Sequence, residues 1–595
     1  AEEFFVMAKI KKDKQPKVFI ISKYLKNYKG LIFWGPFFKA VEAATEVVIP
    51  LLMAIIIDDY ILAENKAGII NIAIVILALN VVGIICAVIG QKFAAVTGES
   101  IGRDMRNDVF RHINTFSHAE LDKFSTAELL NRAVFDVYHL QEGISLILRV
   151  VMRAPFLFIG STIMAMTIDL KLSIVFLVVV PILMAVILFI MKKLTPLITF
   201  SKEQVDKTSL VTRENLSGVR VVRAFCKQES EIERFSKTNK GLHDIQIKEG
   251  KWSAALQPII FMIVNLAVIV LIYFGSIEIN LGTGMSQGHL IAFINYFAQI
   301  SMALVLIARL ITMFTRMKTS AERIEEVMQV ENSIVNPKRP VKVSADDIKG
   351  EVSFCDVSFS YNGVNDIISH FNLNCPSGQT VGIIGPTGSG KSSITNLIPR
   401  FYDTTKGQVK IDGIDVRKFE IEFLRNLIGI VPQNPTLFEG TIRSNMCWRK
   451  PDATDAEIIF ALKIAQAYDF VSEYPDFLDH KVNRGGTNFS GGQKQRLTIA
   501  RAIVGNPKIL ILDDSSSALD FATDAKLRSA IAKNLKGVTT FIVSQRTNSI
   551  KNADQIVVLD GGNVVGIGKH ADLLEGCEVY REIHLSQNKK GGING

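Results

Sequence analysis

The sequence predicts a multidomain fold in which an all-α domain of six transmembrane helices is followed by an α/β domain of the P-loop type. Three observations predict it. Hydrophobic residues make up 48% of the 595 positions, and their long runs lie before about Met317. Connections rich in Lys and Arg alternate between these runs with connections that contain few of these residues. Beyond residue 350 the composition is that of a soluble protein, and an apolar strand there enters a glycine-rich loop.

Length, charge and cysteine content narrow the class of protein further. A chain of 595 residues is too long for one core and predicts several units of about 100–200 residues each. The net charge of +9 arises from Lys and Arg near the hydrophobic runs rather than from a separate basic module, so we predict no nucleic-acid partner. The six cysteines have neither CxxC pairs nor metal-ligand spacing, which indicates neither a disulfide scaffold nor a zinc site.

Each apolar run is long enough for one membrane crossing, because about 20 residues of helix span a hydrocarbon core of ~30 Å. The first run is too long and too far from the start to be a signal peptide, so we expect it to remain in the membrane. The six predicted helices lie near 31–58, 68–95, 140–167, 172–192, 254–275 and 289–315.

The charges of the connections predict the orientation. Segments 96–139 and 193–253 carry many Lys and Arg. The basic residues of the other three loops, 59–67, 168–171 and 276–288, are only Lys66 and Lys171. By the positive-inside rule the basic segments are cytoplasmic, and so are both termini of this multi-pass protein. Both segments contain few Pro or Gly, so we predict that they are helical and extend the membrane helices beyond the bilayer. Simple solvated loops are the alternative.

A phosphate-binding motif follows the apolar strand that starts at Val381. The strand runs into the pattern GxxxxGKS and then into a helix, which is the context that a P-loop requires. Glycines let backbone amides fold around phosphate oxygens, Lys391 meets the β- and γ-phosphates, and the Ser392 hydroxyl coordinates Mg²⁺. The predicted nucleotide-binding residues of this loop are Gly385, Pro386, Thr387, Gly388, Ser389, Gly390, Lys391, Ser392 and Ser393.

A second apolar strand, from Ile509 to Leu512, ends in Asp513. A carboxylate at this position is expected to orient Mg²⁺. Two such strands and a P-loop predict a nucleoside triphosphatase fold with Mg²⁺ as a cofactor.

Between these two motifs lies the segment from Phe489 to Gln493, with the sequence FSGGQ. It differs only in its first residue from the LSGGQ signature of the ABC transporter family. The chain resembles the exporter branch of that family over nearly its whole length. The resemblance implies that Ser490, Gly491, Gly492 and Gln493 contact a nucleotide held by the P-loop of a second chain, with two ATP molecules between paired domains.

The same resemblance implies the remaining nucleotide contacts. Tyr361 stands where an aromatic residue stacks on adenine, Gln433 stands in the Q-loop and Asp520 in the D-loop. The implied magnesium ligands are Ser392, Gln433 and Asp513.

Apolar runs, linker composition and the resemblance together predict five segments. The polar linker contains Pro337 and Pro340. The segments are a cytoplasmic N-terminal segment 1–30, a transmembrane domain 31–316, a linker 317–349, an ABC nucleotide-binding domain 350–587 and a tail 588–595.

Two positions depart from the catalytic pattern of the family. Asp514 stands where the family has the Glu that polarises the attacking water, and its carboxylate is displaced by about 1.5 Å, enough to misalign a general base. Gln545 stands where the family has His, and an amide cannot take up a proton. We therefore predict a degenerate site that binds ATP and hydrolyses it slowly, while the intact signature serves a competent site on a different subunit.

The predicted function is that of one subunit of a heterodimeric, ATP-driven exporter of the multidrug type in the plasma membrane. It would move lipophilic or drug-like compounds out of the cytoplasm or the inner leaflet. The predicted partners are a second ABC half-transporter, the lipid bilayer and a lipophilic small-molecule substrate. The alternatives are a homodimeric lipid or peptide exporter with slow ATPase activity, and a nucleotide-gated channel or sensor on the same scaffold.

Five charged residues inside the predicted helices have two interpretations. Lys39, Glu42 and Glu46 lie on one face of the first helix, and Arg149 and Arg153 are one turn apart on the third. Charges at this depth are costly unless they are paired or face water. One interpretation is a polar wall of a substrate cavity. The other is a local Lys39–Glu42 pair with snorkelling side chains near an interface, and helix-to-helix or interface roles for the two arginines.

Overall fold

The computed structural model describes residues 19–282 and 285–588. These residues form two compact units. The first holds residues up to Asn114 together with Thr126–Gln329, and the second holds Thr115–Ser125 and the chain from Val330 onward. Residues 1–18 of the predicted N-terminal segment and 589–595 of the predicted tail lie outside the described residues.

Long helices make up the first unit. Six of the described helices are long and apolar enough to cross a membrane, which confirms the predicted all-α domain of six transmembrane helices. The first ten α-helices among the described residues are α1 (Phe19–Leu25), α2 (Lys29–Ile55), α3 (Lys66–Ile113), α4 (His118–Leu121), α5 (Thr126–Asn131), α6 (Val137–Ile168), α7 (Ile174–Ser217), α8 (Val219–Ala224), α9 (Gln228–Asn280) and α10 (Gln287–Met328).

Several of these helices are far longer than a bilayer requires. Helix α9 has 53 residues, which is about 80 Å at a rise of 1.5 Å per residue, against a hydrocarbon core of ~30 Å. Helices α3, α7 and α9 contain much of the basic connections 96–139 and 193–253. The prediction that these connections extend the membrane helices is therefore confirmed.

Four of the five charged residues singled out inside the helices form ion pairs. Lys39 Nζ donates to Glu42 Oε2 at 2.7 Å, and both residues are buried, at 7% and 6% exposure. Arg153 Nη2 on α6 donates to Glu46 Oε1 on α2 at 2.7 Å, and its Nε lies 3.6 Å from Glu42 Oε1. Two cations therefore neutralise two carboxylates, and the pairing connects α2 with α6. Arg149 Nε is buried and has no hydrogen-bond partner among the described residues.

Polar and aromatic contacts extend this pairing to α10. Gln299 Nε2 donates to the Glu46 carbonyl at 3.2 Å, and its Oε1 accepts from Ser161 Oγ of α6 at 2.7 Å. Tyr296 is fully buried and donates its hydroxyl to the Val47 carbonyl at 2.9 Å. Helices α2, α6 and α10 thus share one network of buried polar contacts.

The second unit is an α/β domain, as predicted. Its strands are β1 (Val352–Phe359), β2 (Ile368–Cys375), β3 (Thr380–Ile384), β4 (Lys406–Ile411), β5 (Ile414–Asp415), β6 (Ile428–Val431), β7 (Gly440–Thr441), β8 (Lys481–Val482), β9 (Ile509–Asp513), β10 (Thr539–Val543), β11 (Gln555–Asp560) and β12 (Asn563–Gly568). Its helices after residue 390 are α11 (Lys391–Leu397), α12 (Ile421–Asn426), α13 (Ile442–Met446), α14 (Asp455–Ile464), α15 (Tyr468–Ser472), α16 (Gly491–Ile503), α17 (Phe521–Asn534), α18 (Thr547–Ile550), α19 (His570–Gly576) and α20 (Glu578–Asn588).

The main sheet has the strand order β12-β11-β3-β10-β9-β6. All its neighbouring strands are parallel except β11 and β12. Strands β3, β9 and β10 are buried along almost their whole length, as expected for a parallel sheet covered on both faces. A second, antiparallel sheet has the order β2-β1-β4-β5. The parallel strands bring the segments that follow β3, β9 and β10 to one edge.

The first basic connection contributes α4 to this second unit. The ring of His118 stacks on Phe401 with 4.2 Å between centroids, and Tyr402 OH donates to Asp122 Oδ2 at 2.6 Å. Buried Glu120 accepts hydrogen bonds from the amide and hydroxyl of Ser333, both at 3.3 Å. Burial alone would raise the pKa of the Glu120 carboxyl. The hydrogen bonds from Ser333 and from Ser117 at the start of α4 outweigh this effect, so the pKa lies below its ordinary value.

Replacing Glu42 by Gln should destabilise the first unit, because Lys39 then keeps a buried charge without a full counter-charge. Breaking one half of a buried ion pair costs about 3–5 kcal/mol, so we expect a clearly lower midpoint of thermal unfolding in detergent. The control is Glu203→Gln, which changes an exposed carboxylate of α7. Joint replacement of Lys39 by Met and Glu42 by Leu should recover most of the loss. Equal midpoints for Glu42→Gln and Glu203→Gln would contradict this account of the pair.

Candidate nucleotide-binding site

The P-loop lies between the carboxyl end of β3 and the start of α11. Gly388 and Gly390 have φ values of +83° and +91°, a region in which other residues are strained. A Cβ on Gly385 would lie 2.2 Å from the Leu559 carbonyl oxygen, so only glycine fits there. The Ser389 hydroxyl is buried and has no hydrogen-bond partner among the described residues. A buried hydroxyl without a hydrogen-bond partner in a glycine-rich loop fits a phosphate group.

Lys391 folds back over this loop. Its Nζ donates to the carbonyl oxygens of Gly385 at 3.0 Å and Pro386 at 2.6 Å. Burial lowers the pKa of the Lys391 amine, and the carboxylates of Asp514 and Asp513 offset part of that effect. The loop therefore holds one cation at its centre, where a phosphate oxygen can replace the carbonyl acceptors.

Ser392 and Asp513 meet between the P-loop and the end of β9. Ser392 Oγ donates to Asp513 Oδ1 at 3.0 Å. Burial raises the pKa of the Asp513 carboxyl, as does the charge of Asp514, whereas the hydrogen bond from Ser392 lowers it. Hydroxyl and carboxylate oxygens are hard donors, so this pair fits Mg²⁺. Gln433 lies against Asp514 instead, with 3.5 Å between its Nε2 and Asp514 Oδ2.

The two positions that depart from the family pattern lie at the same sheet edge. Asp514 has a φ of +43°, and its amide donates to the Val543 carbonyl of β10 at 3.0 Å. Burial raises the pKa of the Asp514 carboxyl, and the positive charges of the P-loop lysine and Arg546 lower it less. Gln545 follows β10 two residues later, and its carbonyl accepts from Gln587 Nε2 at 2.6 Å. The structure thus brings Asp514 and Gln545 to the strand ends beside the P-loop.

Tyr361 lies over the start of α11. Its hydroxyl is 3.0 Å from Ser393 Oγ. The ring meets Phe359 and Tyr402 edge to face, with centroids 4.7 and 5.0 Å away, and the residue is 48% exposed. A braced and half-exposed aromatic ring beside the P-loop fits an adenine platform.

The signature residues form the N-terminus of α16. Ser490 Oγ accepts from the Gln493 amide at 3.2 Å, and Gln493 Oε1 accepts from the Ser490 amide at 2.9 Å, which is a complete capping box. Gly491 has open space where a Cβ would lie, and a Cβ on Gly492 would be 3.1 Å from the Ala518 carbonyl. Among the described residues, no hydrogen bond, ion pair or ring contact joins these residues to the P-loop.

Hydrogen bonds hold the D-loop, residues 517–520, at both of its ends. Asp520 Oδ2 accepts from the Thr523 amide at 3.0 Å and caps α17. Arg546 donates to the carbonyls of Leu519 at 3.4 Å and Ser517 at 3.5 Å. No sequence motif indicated a role for Arg546, and its one local signal is its position directly after Gln545.

Comparisons with known proteins match both units. A family model for the ABC transporter transmembrane region matches residues 32–304, and a model for the ABC transporter matches residues 368–517. An uncharacterized ABC transporter ATP-binding protein of Mycobacterium bovis is 36% identical, over 97% of this chain and 99% of its own length. An ATP-dependent lipid A-core flippase of Desulfotalea psychrophila is 34% identical, over 80% and 83%. The solved structure of a bacterial Atm1-family ABC exporter with ATP bound is 23% identical, with a TM-score of 0.76 over 96% of this chain and 99% of that one.

Lys391→Ala should weaken ATP binding by at least about tenfold, because the loop then loses its only central cation; a tenfold change corresponds to about 1.4 kcal/mol. The measurement is a titration of the purified protein with a fluorescent ATP analogue. Lys406→Ala, which removes an exposed lysine of β4, is the matched control and should bind as the unaltered protein does. Unchanged binding by Lys391→Ala would place the nucleotide elsewhere.

Proposed function

The chain belongs to the ABC transporter family and has the fold of its exporters, and on that premise we propose that it is one subunit of a heterodimeric exporter of lipophilic or drug-like compounds. ABC exporters work as dimers in the membrane, and this chain is an ATP-binding, multi-pass member of the family. Each half of such a dimer carries one P-loop and one signature. The residues of this chain bear on whether the second half is a copy of this chain or a different subunit.

One observation carries the proposal: Asp514 and Gln545 occupy the two strand ends beside an otherwise complete P-loop. A general base must lie within hydrogen-bond reach of the water that it activates. Asp514 is one methylene shorter than Glu, and its Oδ2 lies 3.5 Å from Gln433 Nε2. Gln545 can donate a hydrogen bond to a phosphate but can carry neither charge nor proton. This site is suited to holding ATP and poorly suited to hydrolysing it.

The signature supports a second, competent site. Ser490 caps α16, and the helix start offers free amides and a partial positive charge to a phosphate. These groups have no described contact with this chain's own P-loop. In the proposed dimer they complete the site of a partner whose own catalytic residues are intact.

Within the degenerate site, each residue has a separate task. Lys391 binds phosphate oxygens in place of the Gly385 and Pro386 carbonyls, and Tyr361 supports the adenine ring. Ser392 and Asp513, with Gln433 as the third proposed ligand, would hold Mg²⁺, which would neutralise charge on the β- and γ-phosphates. ATP then favours closure of the paired domains only to the extent that it binds the closed state more tightly.

We propose that the chain lies in the plasma membrane with both termini in the cytoplasm. The basic connections support this orientation. Substrate would leave from the cytoplasm or the inner leaflet, and the partners would be a second half-transporter and the bilayer, with no nucleic acid. A lipid substrate, with a homodimer in place of the heterodimer, is the second candidate, favoured by the likeness to the lipid A-core flippase.

ATP turnover by this subunit alone and by its complex with the half-transporter encoded beside it tests the proposal. The subunit alone should be nearly inactive, because both of its sites would be degenerate, and the complex should hydrolyse ATP. Asp514→Glu with Gln545→His in this subunit should raise turnover of the complex about twofold, because a second site then works. Adding Lys391→Ala to that variant is the control and should remove the gain. A lone subunit as fast as the complex would instead indicate a homodimeric exporter.

A further inference from the structure

The loop that carries Gln545 is short and lies between two buried elements. It follows β10 and ends at Thr547, the first residue of α18. Ser544 is buried, and its amide donates to the Ile383 carbonyl at 3.1 Å. We call residues 544–547 the switch loop. Its amino end is therefore held by the sheet, next to the strand that leads into the P-loop.

A residue of the last helix holds the other end of the switch loop. Gln587 Nε2 donates to the Gln545 carbonyl at 2.6 Å. Gln587 Oε1 accepts from the Thr547 amide at 2.9 Å and from its hydroxyl at 3.1 Å. One side-chain amide thus forms three hydrogen bonds within the switch loop, to the residues before and after Arg546.

Helix α20 is anchored well enough to serve as a support. Tyr580 is fully buried, and its hydroxyl lies 2.7 Å from His570 Nδ1 of α19. Burial raises the pKa of the Tyr580 hydroxyl to about 12, so it stays protonated. His584, one turn before Gln587, has its Nδ1 3.1 Å from Thr547 Oγ1. Two residues of α20 therefore contact the switch loop, and a third fixes the helix against the domain.

We propose that α20 positions the switch loop and that Gln587 is the residue through which it does so. The inference rests on the proposed function, because Gln545 matters only if the P-loop of this chain retains ATP. Gln587 does not touch nucleotide. It fixes the backbone from which the Gln545 side chain meets the γ-phosphate, so its loss lets the switch loop sample positions that release ATP.

Because Gln587 lies at the surface, a role in positioning the switch loop can be distinguished from a role in the stability of the domain. Its side chain is exposed, so its replacement opens no cavity in the core. Exposed hydrogen bonds add little to global stability, but three of them on one short loop restrict its motion. We therefore expect Gln587 variants to change nucleotide release without changing the unfolding temperature.

The test is the rate at which the purified complex releases radiolabelled ATP during a chase with unlabelled ATP. Gln587→Ala should speed release of the slow ATP fraction by about tenfold, since all three bonds are lost. Gln587→Glu keeps acceptors for Thr547 but loses the donor to Gln545, so it should give an intermediate rate. Ser586→Ala is the matched control: its hydroxyl bonds only within α20, to the Ile583 carbonyl at 2.8 Å.

Release from Gln587→Ala at the unaltered rate would overturn the inference, and so would equal acceleration by Ser586→Ala, which would show general loosening of α20. A lower unfolding temperature for Gln587→Ala would also overturn it. These outcomes differ from failure of the proposed function, in which the unaltered complex would hold no slow ATP fraction and would convert all bound ATP at the rate of turnover.

Discussion

Parallel pairing of β10 with both β3 and β9 is the constraint on which the nucleotide site depends. Because these strands run in the same direction, the P-loop, Asp513 and the switch loop all begin at one edge of the sheet. The hydrogen bond of 3.0 Å from Ser392 to Asp513 then joins the first of these segments to the second. Buried apolar strands keep this edge fixed, so a change of one methylene at Asp514 cannot be absorbed by movement of the backbone.

Charge at this edge is balanced by few groups. Two neighbouring carboxylates, Asp513 and Asp514, face the amine of Lys391 and the guanidinium of Arg546. In the proposed function this edge would hold a nucleotide with its metal ion, while Asp514 and Gln545 would supply neither a well-placed base nor a proton carrier. The same domain presents a capped signature on α16. In the proposed dimer, one chain would therefore retain ATP at its own P-loop and support ATP hydrolysis at the P-loop of its partner.

The fold class could be predicted from the sequence because its signals are local. Apolar runs of membrane length and a strand entering GxxxxGKS each lie within one continuous segment. The contacts that no pattern indicated join distant segments. Glu120 binds Ser333 across 213 residues, and Gln587 binds Gln545 across 42. The pairing of Arg153 with Glu46 likewise depends on how α2 packs against α6, which periodicity alone does not fix.

The most direct test of the account is the chemical identity of the nucleotide bound to this subunit while the complex turns over. A photoreactive, radiolabelled ATP analogue can be cross-linked during steady-state hydrolysis and the nucleotide on each subunit then identified. The account predicts that the P-loop of this chain holds ATP through many turnovers, while the partner's P-loop holds mainly ADP. ADP on this subunit, formed at the rate at which the complex hydrolyses ATP, would contradict it.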